Sequence, residues 1–349
     1  MNLLNQTPIK MGGALALLLL ASHADADTFS FSTGNPDGKI ATLSRPASPG
    51  KSQTETADDF NVTQSIVLTG AVFTGLLPSG ADPKTISDVE VELYRVFPDD
   101  SALPPSGRVL TRTNSPADVE IDSATRDSVN GTLTFSTRLG NPSFTASNSV
   151  ANRINPHPDE KTNGEGPVTG AEVSVMVIFN PPISLAAGHY FFRPEVFSSS
   201  GDFLWLSAPR PIIAPGTPFG SDLQTWIRND ALAPDWLRIG TDITGQAPFN
   251  AAFTLFGETD ADADGVADSL DLCSDTPAGA IVDVDGCSID QIVPCAGPAP
   301  GQSWKNHGQY VSGVAQTAQA FVDQHLISVG QAEAIISQAA QSNCGSAHK

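Results

Sequence analysis

Val89-Glu90-Val91-Glu92-Leu93 alternates apolar and acidic residues one by one. Successive side chains of a strand point to opposite faces, so this period of two describes a strand with one face inside and one outside. The same alternation returns in Val173, Val175, Val177 and Phe179, and in Leu133 with Phe135. It recurs in Tyr190 with Phe192, Phe203 with Trp205, and Phe249, Ala251, Phe253 and Leu255. Turn formers lie between these stretches, among them Gly34-Asn35-Pro36-Asp37-Gly38, Asn163-Gly164-Glu165-Gly166-Pro167 and Ala214-Pro215-Gly216. No stretch of comparable length before Glu258 repeats with helical period. Many short strands with Gly- and Pro-rich turns predict a mainly β fold, a β-sandwich or jelly-roll-like domain over residues 27 to 258. The connections 98 to 118 and 142 to 170 look too long for hairpins, and they are expected to carry strands between two sheets.

Outward from this body, both ends change character. Lys10 precedes an apolar run from Met11 to Ala21, and Ala24-Asp25-Ala26 has the small-x-small pattern of a cleavage site. Residues 1 to 26 therefore read as a signal peptide, and the mature chain as secreted, extracellular or in the cell envelope, without membrane insertion once the leader is removed. The chain of 349 residues carries 18 Lys and Arg against 38 Asp and Glu, a formal charge of −20. That balance disfavours nucleic acid and anionic membrane surfaces as partners and favours cations.

At Glu258 the composition shifts. The 33 residues from Glu258 to Asp290 contain ten acidic side chains and neither Lys nor Arg. Left uncompensated such a run repels itself, so it is either a solvated linker or a cation wrap. Within it, Asp260-Ala261-Asp262-Ala263-Asp264-Gly265-Val266-Ala267-Asp268-Ser269-Leu270-Asp271 puts carboxylates at loop positions 1, 3, 5, 9 and 12. Calcium is a hard cation that takes six to eight oxygens, and alternating short Asp side chains let one tight loop converge on it. Asp260, Asp262, Asp264, the Val266 carbonyl, Asp268 and Asp271 are the expected Ca²⁺ ligands, with Gly265 at the sharp turn.

All four cysteines, Cys273, Cys287, Cys295 and Cys344, fall in this last quarter, and in an exported protein they read as disulfides with three pairings open. Beyond the Pro- and Gly-containing stretch from Pro294 to Gly301, residues 294 to 349 read as a helical hairpin. Tyr310, Val311, Val314, Ala318, Phe321 and Val322 form one apolar stripe. Ser328 with Gln331 makes a capping box for a second helix bearing Ile335, Ile336 and Ala339. A Cys295 to Cys344 bridge would close the ends of this hairpin and stabilise it by roughly 4 kcal/mol.

An EF-hand loop would run on into a helix, which Cys273-Ser274-Asp275-Thr276-Pro277 cannot form. The segment 259 to 293 instead resembles a thrombospondin type 3 repeat. The likeness rests on the Asp260 to Asp271 loop, then Cys273, Asp275-Thr276-Pro277-Ala278-Gly279, and Val282-Asp283-Val284-Asp285-Gly286-Cys287. The resemblance implies a calcium-wrapped loop with little regular structure and a Cys273 to Cys287 disulfide. It further implies a setting in extracellular or envelope proteins, where such repeats join larger domains. Asp283 and Asp285 are the sparse carboxylates toward a second ion. Trp304 to Val311 is similar to a short module that follows such repeats in exported bacterial proteins, and Ser200 to Leu206 to the body of secreted ones.

The functional expectation is a secreted, non-enzymatic calcium-binding protein that acts in adhesion, with a cell-surface protein or glycan as partner. A carbohydrate-binding or polysaccharide-active sandwich and a purely structural matrix component are the alternatives. Trp205, Trp226 and Trp236, near Arg210, Arg228 and Arg238, read either as core or as a sugar-stacking platform. There is no Gly-x-Ser-x-Gly elbow and no His-Glu-x-x-His helix. His157 beside Asp159 and Glu160, His189, His307 and His325 read as surface or capping histidines. Asp58-Asp59 and Asp99-Asp100 read as turn residues.

Overall fold

The alternation at Val89 is realised in strand Ile86–Val96, whose Val89, Val91 and Leu93 are fully buried. The computed structural model describes residues 28 to 346, apart from 103–105, 155–156, 159 and 210–223. The leader of residues 1 to 26, Asp159, Arg210 and the turn at Ala214-Pro215-Gly216 lie outside those described residues. Among the described residues the fold is mainly β, in one sheet of ten strands and one of seven, with a few helices. In the larger sheet Ile66–Pro78 pairs with Val168–Leu185, Phe253–Thr259 and Leu204–Ala208, and Thr28–Ser32 flanks Phe253–Thr259. In the smaller one the order is Leu237–Arg238, Trp226–Asn229, Thr54–Val62, Gly188–Ser198, Ile86–Val96 and Pro116–Glu120.

One apolar cluster draws on both sheets. Phe60, Val91, Leu93 and Phe192 come from the smaller sheet, and Phe73, Val173, Val175, Val177, Phe253 and Leu255 from the larger. Each such side chain contributes about 1.5–3 kcal/mol on leaving water. Trp205, also in this cluster, donates from Nε1 to the Ala252 carbonyl at 3.0 Å.

Two expectations are corrected. The long connections do not carry strands between sheets: Ile86–Val96 and Pro116–Glu120 are antiparallel neighbours in one sheet, as are Leu133–Leu139 and Val168–Leu185 in the other. Short links make the changes of sheet instead, such as the one from Val62 to Ile66 and the two residues from Leu185 to Gly188. Length therefore misleads here: the connection returns to the neighbouring strand of the same sheet, and within it Val109 and Arg112 are buried. Asp58 and Asp59 are not turn residues either. Both are buried in the middle of strand Thr54–Val62, where Asp58 accepts from the Ala251 amide and Asp59 from the Gln224 amide and His189.

Past Thr259 the chain enters an irregular segment and then three helices, α1 (Ile289–Ile292), α2 (His307–Asp323) and α3 (Val329–Gln341). Tyr310, Val314, Ala318 and Phe321 of α2 pack with Ala332 and Ala339 of α3, as the apolar stripe requires. The Ser328 and Gln331 capping box is formed, and Asn306 caps α2 by accepting from the Gln309 amide. The helical module begins earlier than the sequence reading placed it, since Ile289 and Val293 belong to the same apolar cluster. Disulfides join Cys273 to Cys287 and Cys295 to Cys344. Among the described residues no helix is long and apolar enough to cross a membrane.

Candidate metal centre

Strand Phe253–Thr259 delivers the acidic loop to the end of the larger sheet. The Asp260 amide donates to Ser65 O at 3.1 Å, which fixes the first carboxylate against the β body. The chain then folds back on its own backbone. Gly265 N donates to Asp260 Oδ2 at 3.0 Å, Asp264 N to Asp260 Oδ1 at 3.2 Å, and Val266 N to Asp264 Oδ1 at 2.8 Å. These turns require left-handed backbone at Ala263 (φ 63°) and Gly265 (φ 98°), the second at the position where the spacing calls for glycine.

The result is that Asp260, Asp262 and Asp264 each offer a carboxylate oxygen, and the three oxygens lie within 4.8 Å of one another. Asp260 is almost completely buried and the other two are half-buried. Burial and the neighbouring carboxylates push Asp260 and Asp264 above the ordinary carboxyl range, against the backbone amides that favour the charged form. Asp262 Oδ2 accepts from the Thr276 amide at 2.7 Å. Asp262 Oδ1 and Asp264 Oδ2 are buried and accept no hydrogen bond from any of the described residues. A buried carboxylate oxygen without a donor is costly unless a cation or water meets it. An all-oxygen donor set of short Asp side chains is what a hard divalent cation requires, so these residues fit calcium.

The remaining predicted ligands are distributed differently. Asp271 comes to the cluster from the far side of the loop. A Cβ built on Gly286 would overlap Asp271 Oδ1 and lie 3.2 Å from Asp264 Oδ2, so both carboxylates converge on the glycine of the second half-motif. Asp271 Oδ1 also accepts from Cys273 N at 2.6 Å. Asp268 is exposed, and its oxygens accept from Ala261 N at 2.8 Å and Thr259 Oγ1 at 2.5 Å, which makes it a clasp on the loop's entry. Val266 is half-buried beside Gly265. Asp283 Oδ1 accepts from Asp285 N and Cys287 N at 3.0 and 3.1 Å, closing the turn under the disulfide, while Asp285 is exposed.

Two residues that sequence reasoning did not single out complete the centre. Gly286 is its wall, and Thr276 ties the two halves together: its amide holds Asp262, and its hydroxyl lies 3.0 Å from Cys273 O and 2.9 Å from Gly286 O. Thr276-Pro277 was visible in the motif, but nothing local tells that the threonine reaches back 14 residues.

Elsewhere, Trp205, Trp226 and Trp236 are all fully buried, so they are core and form no sugar-stacking platform. Arg228 lies over the Trp236 ring at 4.3 Å and bonds Glu55. Arg238 pairs with Asp242 at 2.7 Å. His307 bridges the helices, with Nδ1 2.7 Å from Cys344 O and Nε2 3.1 Å from Ala340 O, and His325 sits in left-handed backbone after α2. His189 stacks on Phe191 and its Nε2 lies 2.7 Å from Asp59 Oδ2. The chain matches no protein-family model, no curated protein and no solved structure.

Proposed function

We propose that this is a secreted calcium-binding protein of non-enzymatic role in cell-surface or matrix adhesion, built as a jelly-roll-like β-sandwich, a thrombospondin type 3-like calcium segment and a small helical module. The observation that carries the reading is the Asp260, Asp262 and Asp264 cluster, with two buried carboxylate oxygens that no donor among the described residues meets. Asp271 closes the sphere, and the two disulfides of the C-terminal quarter suit an oxidising compartment. Calcium acts electrostatically. Without it the Asp carboxylates repel one another, and with it they draw the segment into a rigid spacer between the β body and the helices. The burial of all three tryptophans removes the main support for a sugar-binding platform on the sandwich.

Small-angle scattering in calcium and in chelator tests the spacer. The proposal expects a smaller spread of interdomain dimensions with calcium bound, and identical dimensions in both would contradict it. Retention of the labelled protein on cell surfaces should depend on calcium in the same concentration range.

A further inference from the structure

The outer face of the seven-stranded sheet carries a charge assembly that the calcium segment does not explain. Val89, Val91, Leu93, Phe60 and Phe192 face the main core, and the residues that alternate with them turn the other way. On that other face Glu195 stands opposite Glu90 and Arg193 opposite Glu92, while Arg228 stands opposite Glu55. Arg193 is buried and gathers four carboxylates. Its Nη1 lies 2.9 Å from Glu195, its Nη2 3.4 Å from Glu55 and 3.7 Å from Glu90, and Nη2 also contacts Glu92. Arg228 engages Glu55 with Nε and, at 3.0 Å, with Nη2.

The charges do not balance. Four carboxylates meet two guanidiniums, and among the described residues no further cation pairs with the cluster. The Tyr94 hydroxyl donates to Glu92 at 2.5 Å and Gln53 Nε2 to Glu195 at 3.0 Å, both neutral donors. On the covering elements Asp118 and Asp235 share Arg112, Asp127 stands directly opposite Glu90 in the neighbouring strand Arg126–Asp127, and Asp88 and Glu120 are further acids along and beside Ile86–Val96. At the other end of the face Asp59 is matched by His189. Fully ionised, the cluster would hold two uncompensated negative charges around the buried Arg193 and Glu195, with Glu90 31% exposed at its rim, and keeping a proton relieves that repulsion.

We propose that the four carboxylates gathered around Arg193 and Arg228 hold a bound proton at neutral pH, with Glu90 its main holder, so that the proton-loaded cluster stabilises the sheet face on which edge strand Pro116–Glu120 packs, a stabilisation lost in mild alkali. The cluster reaches that strand through Arg228, the partner of Glu55: Arg228 Nη1 donates to Asp118 O at 3.0 Å, and Trp236, packed under Arg228, donates to Ala117 O at 3.2 Å. Burial, with a hydrogen bond to Glu92, pushes Glu90 up to about 8 against the pull of Arg193. Burial likewise raises Glu195 to about 7. Burial also works to raise Glu92, but Arg193 and the hydrogen bonds from Glu90 and Tyr94 bring it below the usual range. Carboxyls raised in the folded state bind protons that the unfolded chain releases. Their stabilisation is complete below the ordinary carboxyl range and is lost as pH rises through about 7 to 8.

Denaturant unfolding of the wild type and Glu90→Gln at about pH 6 and about pH 9, at fixed calcium and ionic strength, tests this. The wild type should lose at least about tenfold in its folding equilibrium between the two, the equivalent of a one-unit shift. Glu90→Gln should lose less and be the more stable protein at the higher pH. Equal pH dependence of the two proteins would overturn the proposal. Should Glu90→Gln fail to fold, carboxyl NMR of the wild type decides: a Glu titrating near neutrality supports the bound proton, and all Glu titrating in the ordinary range overturns it.

Discussion

Gly286→Ala and Gly279→Ala form a matched pair that separates backbone strain from metal-site geometry. Gly286 has φ 75° and Gly279 φ 80°, so alanine pays nearly the same left-handed penalty at both, about 1–2 kcal/mol. Around Gly279 nothing lies within 4 Å of an added Cβ. At Gly286 the same methyl group overlaps Asp271 Oδ1 and comes 3.2 Å from Asp264 Oδ2. One carboxylate must move, and its movement disturbs a ligand set whose other oxygens converge within 4.8 Å. Displacing a ligand through its packing neighbour costs about 10–100-fold in metal affinity, or about 1.4–2.8 kcal/mol of binding. Isothermal titration of Ca²⁺ into both chelator-treated variants reads this difference. Gly279→Ala should keep the wild-type Kd while Gly286→Ala weakens it by that factor. Equal Kd values in the two variants would refute the placement of Asp264 and Asp271 at the ion.

Two further outcomes follow from the same geometry. Replacing both Cys295 and Cys344 with Ser opens a loop of 49 residues' separation, and the helical module should lose roughly 4 kcal/mol, read as a lowered melting of the helical circular dichroism signal. An unchanged melt would mean that α1 to α3 pack well enough alone. Trp236→Ala removes a fully buried indole that meets Tyr94 edge-on at 5.6 Å and carries Arg228 on its face, and should cost about 3–5 kcal/mol in urea unfolding. A Trp236→Ala variant of normal stability that lost glycan retention would restore the sugar-platform reading.

The strands were legible because each sheet presents one face to a shared core, and Val89, Val91 and Leu93 report that face directly. The second face was not legible. Thr54–Val62, with the sequence Thr-Glu-Thr-Ala-Asp-Asp-Phe-Asn-Val, reads as polar, yet nearly all of it is buried because distant residues such as Trp236 against Ala57 and Arg228 on Glu55 cover it. A pattern of period two records which side chains share a face and carries no record of a cover contributed from elsewhere in the chain. The same reason hides the role of Asp59 and that of Glu90 and Glu92, whereas Asp58 shares the face of Phe60 and meets the Ala251 amide of the other sheet. The acidic loop was legible because its chemistry is local, with each carboxylate two residues from the next and Gly265 at the turn. Gly286 and Thr276 escaped because they act across the disulfide-closed turn, where only tertiary structure brings them onto the carboxylates.

The central claim is that the Asp260 to Asp271 loop holds calcium, and calorimetric titration of Ca²⁺ into chelator-treated protein beside the Asp264→Ala, Asp271→Ala variant tests it most directly. The account predicts saturable binding in the wild type that is lost in the variant. Absence of binding in the wild type, or binding that survives both substitutions, would contradict it.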